Sequence, residues 1–145
     1  MMTAQEMWEL YSRRENLTAE YEAWAFGDQP DVLADLVLRG IKTGTSSLHL
    51  WYKREKEPLP RAGEYSVILD SEENAVCVTK TTKVYVLPFD RVPPEHAWRE
   101  GEGDRSLAYW QKVHEEFFST ELREIGVPFH KQMQVVCEEF LRVYP

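Results

Sequence analysis

Cysteine is scarce, long apolar runs are missing and positive charge is in deficit, and each shortage excludes something. The 145 residues hold two cysteines, Cys77 and Cys137, sixty positions apart. Neither belongs to a CxxC pair or a cysteine–histidine cluster, so no zinc site is expected. Both lie in apolar runs, NAVCVT and QVVCEEF, that read as strands, which predicts free buried thiols. No apolar stretch approaches bilayer length, so no transmembrane helix is expected. The N-terminal MMTAQEMWELYSRRENL is broken by charges and lacks the apolar core of a signal peptide, which points to the cytoplasm. Lysine and arginine number 17 against 25 acidic residues, a net charge of −8. That is the wrong sign for gripping duplex DNA or long nucleic acid through phosphate contacts. No repeat, low-complexity tract or linker appears, so residues 1–145 read as one domain.

The positive charge that exists is concentrated. Arg39, Lys42, Lys53, Arg54, Lys56 and Arg61 fall within 23 residues opposed only by Glu55 and Glu57. Such a basic mouth on an acidic body suits a small anionic ligand or a short stretch of RNA; its ordinary alternative is a solvated charged loop.

Periodicity divides the chain. TAQEMWELYSRREN opens with Thr3 and Glu6 at capping-box spacing and continues with helical period. DVLADLVLR forms a second helix, stopped by Gly40. EYSVILD and AVCVTKTTKVYVLPF read as strands joined by a turn at SEEN. After the loop REGEGDRS comes a helix carrying Leu107, Trp110, Val113, Phe117 and Phe118 on one side, and MQVVCEEFLRVY closes the chain as a strand. The class is α+β, with a small closed or half-closed sheet flanked by helices.

Three segments hold candidate chemistry. GIKTGTSS, residues 40–47, surrounds Lys42 with Thr43, Thr45, Ser46 and Ser47 on a backbone loosened by Gly40 and Gly44. It follows a helix, and its lysine follows isoleucine, so it is not a triphosphate-binding loop. In a bent loop, Lys42 and Thr45 can face one cavity. A dry lysine with a lowered pKa can serve as a base toward a hydroxyl, and a charged one can grip a carbonyl or phosphate oxygen. The residues alone are equally those of a polar turn. REGEGDRS offers Glu100 or Glu102 to orient the lysine or move a proton, Arg105 as a ligand contact, and Asp104 or Ser106 as a helix cap. Its glycines and glutamates are misplaced for a calcium loop. Trp51 and Tyr52, beside Lys53 and Arg54, present planes on which a base can stack. Tyr21, Trp24 and Phe26 read as core. His96 and Glu100 lie four apart on a potential helix without a third metal ligand, and His114 reads as a hydrogen-bonded core or rim residue. No metal and no cofactor are expected.

The blocks AWAFGD, LVLRGIKTGTSS, EPLPRAGEYSVILD, TTKVYVLPF, EGEGDRSLAYWQKVHEEFF and VVCEEF, in that order, resemble the ASCH domain family, relatives of the PUA RNA-binding domains. The glycine-x-lysine-x-x-threonine element of that family corresponds to Gly40, Lys42 and Thr45. The resemblance implies a small β-barrel with helices beside a cleft lined by the signature loop, and a link to RNA or its constituents. Residues of about 1–20 form an added N-terminal helical extension. Some small bacterial members hydrolyse the amide of acetylated cytidine with a lysine, a threonine and a glutamate. Carried over, these are Lys42, Thr45 and Glu100, with Glu102 as the rival acid. The expectation is that Lys42 deprotonates Thr45 or a water while Glu100 positions the lysine and shuttles the proton, with Gly40, Thr43, Ser46, Ser47, Trp51, Tyr52, Glu102 and Arg105 contacting a nucleoside-like or RNA-derived ligand. The alternatives are a non-catalytic RNA-binding or RNA-sensing module, and a ribonuclease in which Lys42 stabilises phosphorane charge.

Overall fold

The β-branched run over residues 75–88 forms one 14-residue strand, and the structure hangs on it. In a computed structural model, which describes residues 1–145, the order is α1 (Ala4–Arg14), β1 (Tyr21–Trp24), α2 (Pro30–Leu38), β2 (Gly44–Leu48), α3 (His49–Glu55), β3 (Tyr65–Leu69), β4 (Ala75–Pro88), α4 (Pro94–Glu100), α5 (Leu107–Arg123) and β5 (Gln134–Tyr144). β4 pairs antiparallel with β3 through the SEEN turn, where Asp70 and Asn74 close the hairpin. Its other edge pairs antiparallel with β5, with register shifts at Val78/Thr79 and Thr81/Lys83. β1 lies parallel to β3, and β2 antiparallel to β5.

The five strands therefore run β1-β3-β4-β5-β2. β1 and β2 are not paired with each other, so the sheet is open and the expected barrel is corrected to an α+β fold with two free edges. Strand patterning in sequence marks strands but carries no information on whether the two outermost ones meet. Two elements escaped the sequence reading for the same reason. The four residues of β1 are too short to show a period, and the polar GTSSL becomes strand because β5 supplies the ladder. LHLWYKRE, in turn, is the short helix α3.

Both faces of β3 and β4 are buried. Val67 and Val78 pack under α1 with Met7, Trp8, Tyr11 and Tyr65, whereas Ile68 and Cys77 pack under α2 with Ala34, Val37 and Phe26. A third cluster joins α5 to β5 through Trp110, Phe118, Leu122, Val135 and Cys137. α1 is held by the foreseen capping box, with Thr3 and Glu6 each donating a backbone N–H to the other's side chain. Both cysteines are free and buried on strands, and burial pushes both thiols up to about 12, which leaves them unreactive. No helix is long and apolar enough to cross a membrane.

Two glycines aim the functional segments. Gly40, at φ +76°, ends α2: its N–H donates to the Val37 carbonyl and the Ile41 N–H to that of Leu36, a Schellman turn that points Lys42 inward. Gly101, at φ +71°, ends α4 directly against the same segment, where an added Cβ would lie 2.6 Å from the Ile41 carbonyl oxygen. Nothing lies within 4 Å of a Cβ at Gly40. Gly40→Ala should therefore cost only the left-handed backbone penalty, about 1 kcal/mol. Gly101→Ala adds a clash with backbone to that penalty and should cost several times as much. Urea unfolding of the two variants checks the order, and equal losses would contradict it.

Candidate functional site

Three segments meet where α2 turns into β2. The Thr43 N–H donates to the Arg99 carbonyl at 2.6 Å, which ties the lysine segment to the last turn of α4. That turn carries Glu100, and the residues after Gly101 bring Glu102 to the same spot. Lys42 Nζ donates to Glu100 Oε1 at 3.1 Å, to Glu102 Oε2 at 2.8 Å and, more weakly, to the Glu100 carbonyl at 3.4 Å. Lysine has three N–H donors, so all are engaged. Lys42 is 1% exposed and Glu100 2%.

Glu100 is the hub. Its Oε2 accepts from the Trp110 indole N–H at 2.6 Å and from the Ser46 hydroxyl, with His96 Nε2 at 3.2 Å and His114 Nε2 at 3.4 Å. His96 shares helix α4 with it four residues earlier, so both point inward on one face. Trp110 and His114 repeat that spacing on α5 and stack, with ring centroids 4.4 Å apart. His96 Nε2 also lies 2.7 Å from Ser46 Oγ. Because Ser46 spends its proton on Glu100, the His96 Nε2 must carry the ring proton. His96 Nδ1 is then a buried acceptor without a partner.

The electrostatics follow from this crowding. Burial works against the Lys42 ammonium, but Glu100 and Glu102 outweigh it and hold the amine above its ordinary value. The sequence expectation of a dry lysine with a lowered pKa is thereby corrected: burial came with two carboxylates, and Lys42 is a cation. Burial also opposes the Glu100 carboxylate, yet the His114 and Lys42 charges, with hydrogen bonds from His114 and His96, hold it well below the usual range. His114 is buried too, and the Glu100 charge and hydrogen bond raise its pKa above 6.5.

The cluster floors a cavity of about 80 Å³. Lys42, Thr45, Ser46, Glu100, Glu102 and His114 form its polar side, while Phe26, Gly27, Leu33, Val113 and Phe117 form an apolar wall, with Asp28 beside it. This volume is well under the roughly 300–1,000 Å³ of ordinary ligand pockets and admits one small group. A larger recess of about 380 Å³ lies between α2 and the β3–β4 turn. Its Asp31 is engaged by the Ser71 N–H and hydroxyl, and its lining contains no lysine, arginine or histidine. No group of histidine, cysteine and acidic side chains is disposed to hold a metal ion.

Of the residues expected from sequence, Lys42, Thr45, Ser46, Glu100 and Glu102 line one pocket. The ammonium is bonded to carboxylates and a carbonyl, not to Thr45. The remaining six expected contacts lie outside the lining. Gly40 shapes the α2 turn, and the Thr43 hydroxyl donates to the Arg99 carbonyl. Ser47 and Tyr52 pair with each other through their hydroxyls at 2.8 Å. Trp51 packs on the α5–β5 core. Arg105 bonds the carbonyls of Trp98 and Ile41 and stacks on the Trp98 ring at 3.7 Å, so it braces the loop. Sequence reasoning missed His114, His96 and Trp110 as site residues. Their only signal was the four-residue spacing of His96–Glu100 and Trp110–His114, which is equally that of a core face.

Comparison with known proteins agrees with the fold. A family model described as ASCH domain matches residues 22–144. The crystal structure of an ASCH domain from Lactobacillus crispatus JV V101 is 35% identical, covers 98% of this chain and 94% of its own, and superposes with a TM-score of 0.91. Protein EF3133 from Enterococcus faecalis V583 is 32% identical over 97% of this chain and 88% of its own, with a TM-score of 0.85. Hypothetical protein PH0355, at 19% identity and a TM-score of 0.54, shares the fold. No curated protein is similar to the chain.

The charged cluster makes stability depend on pH in two directions. The lowered Glu100 pKa contributes stability above about pH 4.5, lost as pH falls through its folded value. The raised His114 pKa contributes stability in full below about pH 6.5, lost as pH rises through its folded value. The thermal midpoint should therefore be highest at weakly acidic pH and decline on both sides. His114→Gln should remove the alkaline decline, and a variant that keeps it would show that another group is responsible.

Proposed function

The chain belongs to the ASCH domain family, which is associated with RNA binding, and on that premise we propose that its pocket binds a nucleoside-like ligand and hydrolyses the amide of an acylated cytidine. One observation carries this reading: a buried lysine cation, clamped by two carboxylates, shares the lining of a one-group cavity with Thr45 and an apolar wall. A cavity of that size takes a single inserted group, not a stretch of chain.

Charge balance favours a neutral substrate. Lys42 and His114 already face Asp28, Glu100 and Glu102, so an incoming phosphodiester meets more negative than positive charge. That argues against the ribonuclease reading. An amide carries no charge, and its carbonyl oxygen can replace the weakest of the three lysine contacts, the 3.4 Å one to the Glu100 carbonyl. The ammonium then stabilises the oxygen as it becomes anionic. Thr45 attacks the acyl carbon and gives its proton to Glu102, whose side chain is 17% exposed against 3% for that of Glu100. Glu100 positions the lysine. The departing amine needs a proton from a further group.

A second reading, an RNA-binding module without turnover, has one observation in its favour: Lys53, Arg54, Lys56 and Arg61 are all exposed. The experiment for both is incubation of the folded protein with N4-acetylcytidine and detection of cytidine. Turnover is expected, with Lys42→Met and Thr45→Ala each lowering kcat by about 100-fold or more. Absence of turnover at high enzyme concentration, together with single-stranded RNA affinity that falls steeply with salt, would replace the hydrolase by the binding module.

A further inference from the structure

We propose that His114 is the proton donor of this site, an imidazolium that protonates the nitrogen leaving the acyl carbon. The proposal rests on the hydrolase reading for its substrate but on bond geometry for its protonation. His114 Nδ1 lies 2.8 Å from the Trp110 carbonyl oxygen. A carbonyl only accepts, so Nδ1 carries a proton. His114 Nε2 lies 3.4 Å from Glu100 Oε2, an oxygen that also receives the Ser46 hydroxyl and the Trp110 indole N–H. A bare Nε2 lone pair there would face a carboxylate, whereas an Nε2–H turns its charge toward it as an ion-pair partner. Both nitrogens are therefore protonated. The Trp110 ring stacked on the imidazole is placed to stabilise the cation further.

Elimination leads to the same residue once the proton that Glu102 takes from Thr45 is reserved for the returning Thr45 oxygen. Two protons of Lys42 are committed to Glu100 and Glu102, and the third to the substrate carbonyl oxygen. The Ser46 and Trp110 protons are committed to Glu100. His96 is fully buried and does not line the cavity. His114 does line it, with 11% of its side chain exposed. The charged and titratable groups facing it are Glu100 and His96 from α4, Glu102 from the following loop, Lys42 ahead of β2 and Asp28 across the cavity. Glu100 and Glu102 both favour its protonated form, in keeping with the raised pKa.

The proton count closes over one cycle. As the Thr45 oxygen bonds to the acyl carbon, its proton passes to Glu102. The carbon–nitrogen bond breaks, the nitrogen takes the His114 Nε2 proton, and the free amine departs. Water then attacks the acyl-threonine and gives a proton to the neutral His114. The Thr45 oxygen leaves with the proton held by Glu102, so both residues return to their starting states.

Nitrogen-15 NMR of histidine-labelled protein tests the protonation without any substrate, with His114→Gln assigning the signals. Both His114 nitrogens should be protonated at pH 6.5, with a midpoint above that value. With N4-acetylcytidine, kcat should fall as pH rises through that same midpoint. His114→Gln should lower kcat by about 100-fold with KM little changed, and should lose the alkaline limb. A structural role would leave the limb in place. A neutral His114 at pH 6.5, or a wild-type kcat without a limb above that pH, overturns the donor role while leaving the hydrolase standing, and the wild-type pH profile does not depend on the variant's folding. Failure of the wild type to turn over any acylated cytidine removes the hydrolase reading and the donor role together.

Discussion

The ion pair between Lys42 and Glu100 is the constraint on which the rest of the site depends. Both side chains are almost wholly shut off from solvent, and an isolated charge in such a place costs several kcal/mol at least. Each must therefore be met by partners in full. The lysine takes two carboxylates and a carbonyl; the carboxylate takes a lysine, an indole, a hydroxyl and two imidazoles. These partners come from the segment before β2, from β2 itself, from α4 and its following loop, and from α5. Satisfying one pair of charges thus fixes the relative placement of four parts of the chain. The Schellman turn at Gly40 and the close approach at Gly101 are the backbone conditions for it.

Such a cluster is a poor way to gain stability, because apolar residues of similar volume commonly do as well or better in its place. Its position at the floor of a cavity gives it another use. A cation, a saturated carboxylate, a second carboxylate nearer the opening and an imidazole of raised pKa are held around a space for one group. Their charges nearly cancel, so the site favours a neutral polar ligand over a phosphate. The basic side chains of α3 and Arg61 are exposed and separate from this lining. The positive charge that stands out in the sequence is therefore not the charge that shapes the cavity.

Much of the site was legible residue by residue. The Gly40–Lys42–Thr45 spacing and the paired glutamates of REGEGDRS pointed to segments that the structure brings together, because composition and short spacing survive in one dimension. The roles of those residues did not follow. Whether a buried lysine is neutral or charged depends on what is buried with it, and Glu100 lies 58 residues away. Trp51 and Tyr52 read as a stacking platform from their basic neighbours, yet Trp51 is absorbed by the α5–β5 core and Tyr52 by Ser47. His114 looked like a core residue from its place on an aromatic helix face, and burial alone agrees. Its partner Glu100, rather than its exposure, sets it apart from the rest of that face.

By itself the sequence determined helices α1, α2 and α5, the β3–β4 hairpin, the strand character of the cysteine runs and the resemblance to the ASCH domain family. These depend on local propensity, period and ordered blocks of residues. Tertiary structure alone decided that the sheet stays open, that polar GTSSL is a strand, and that Glu100 and Glu102 both reach Lys42. It alone decided that burial, offset by carboxylates, would leave Lys42 charged and raise the pKa of His114 as well. The physical reason is common to all of these: strand pairing and charge compensation are made between residues distant in the chain, and neither leaves a mark on the local pattern of either partner.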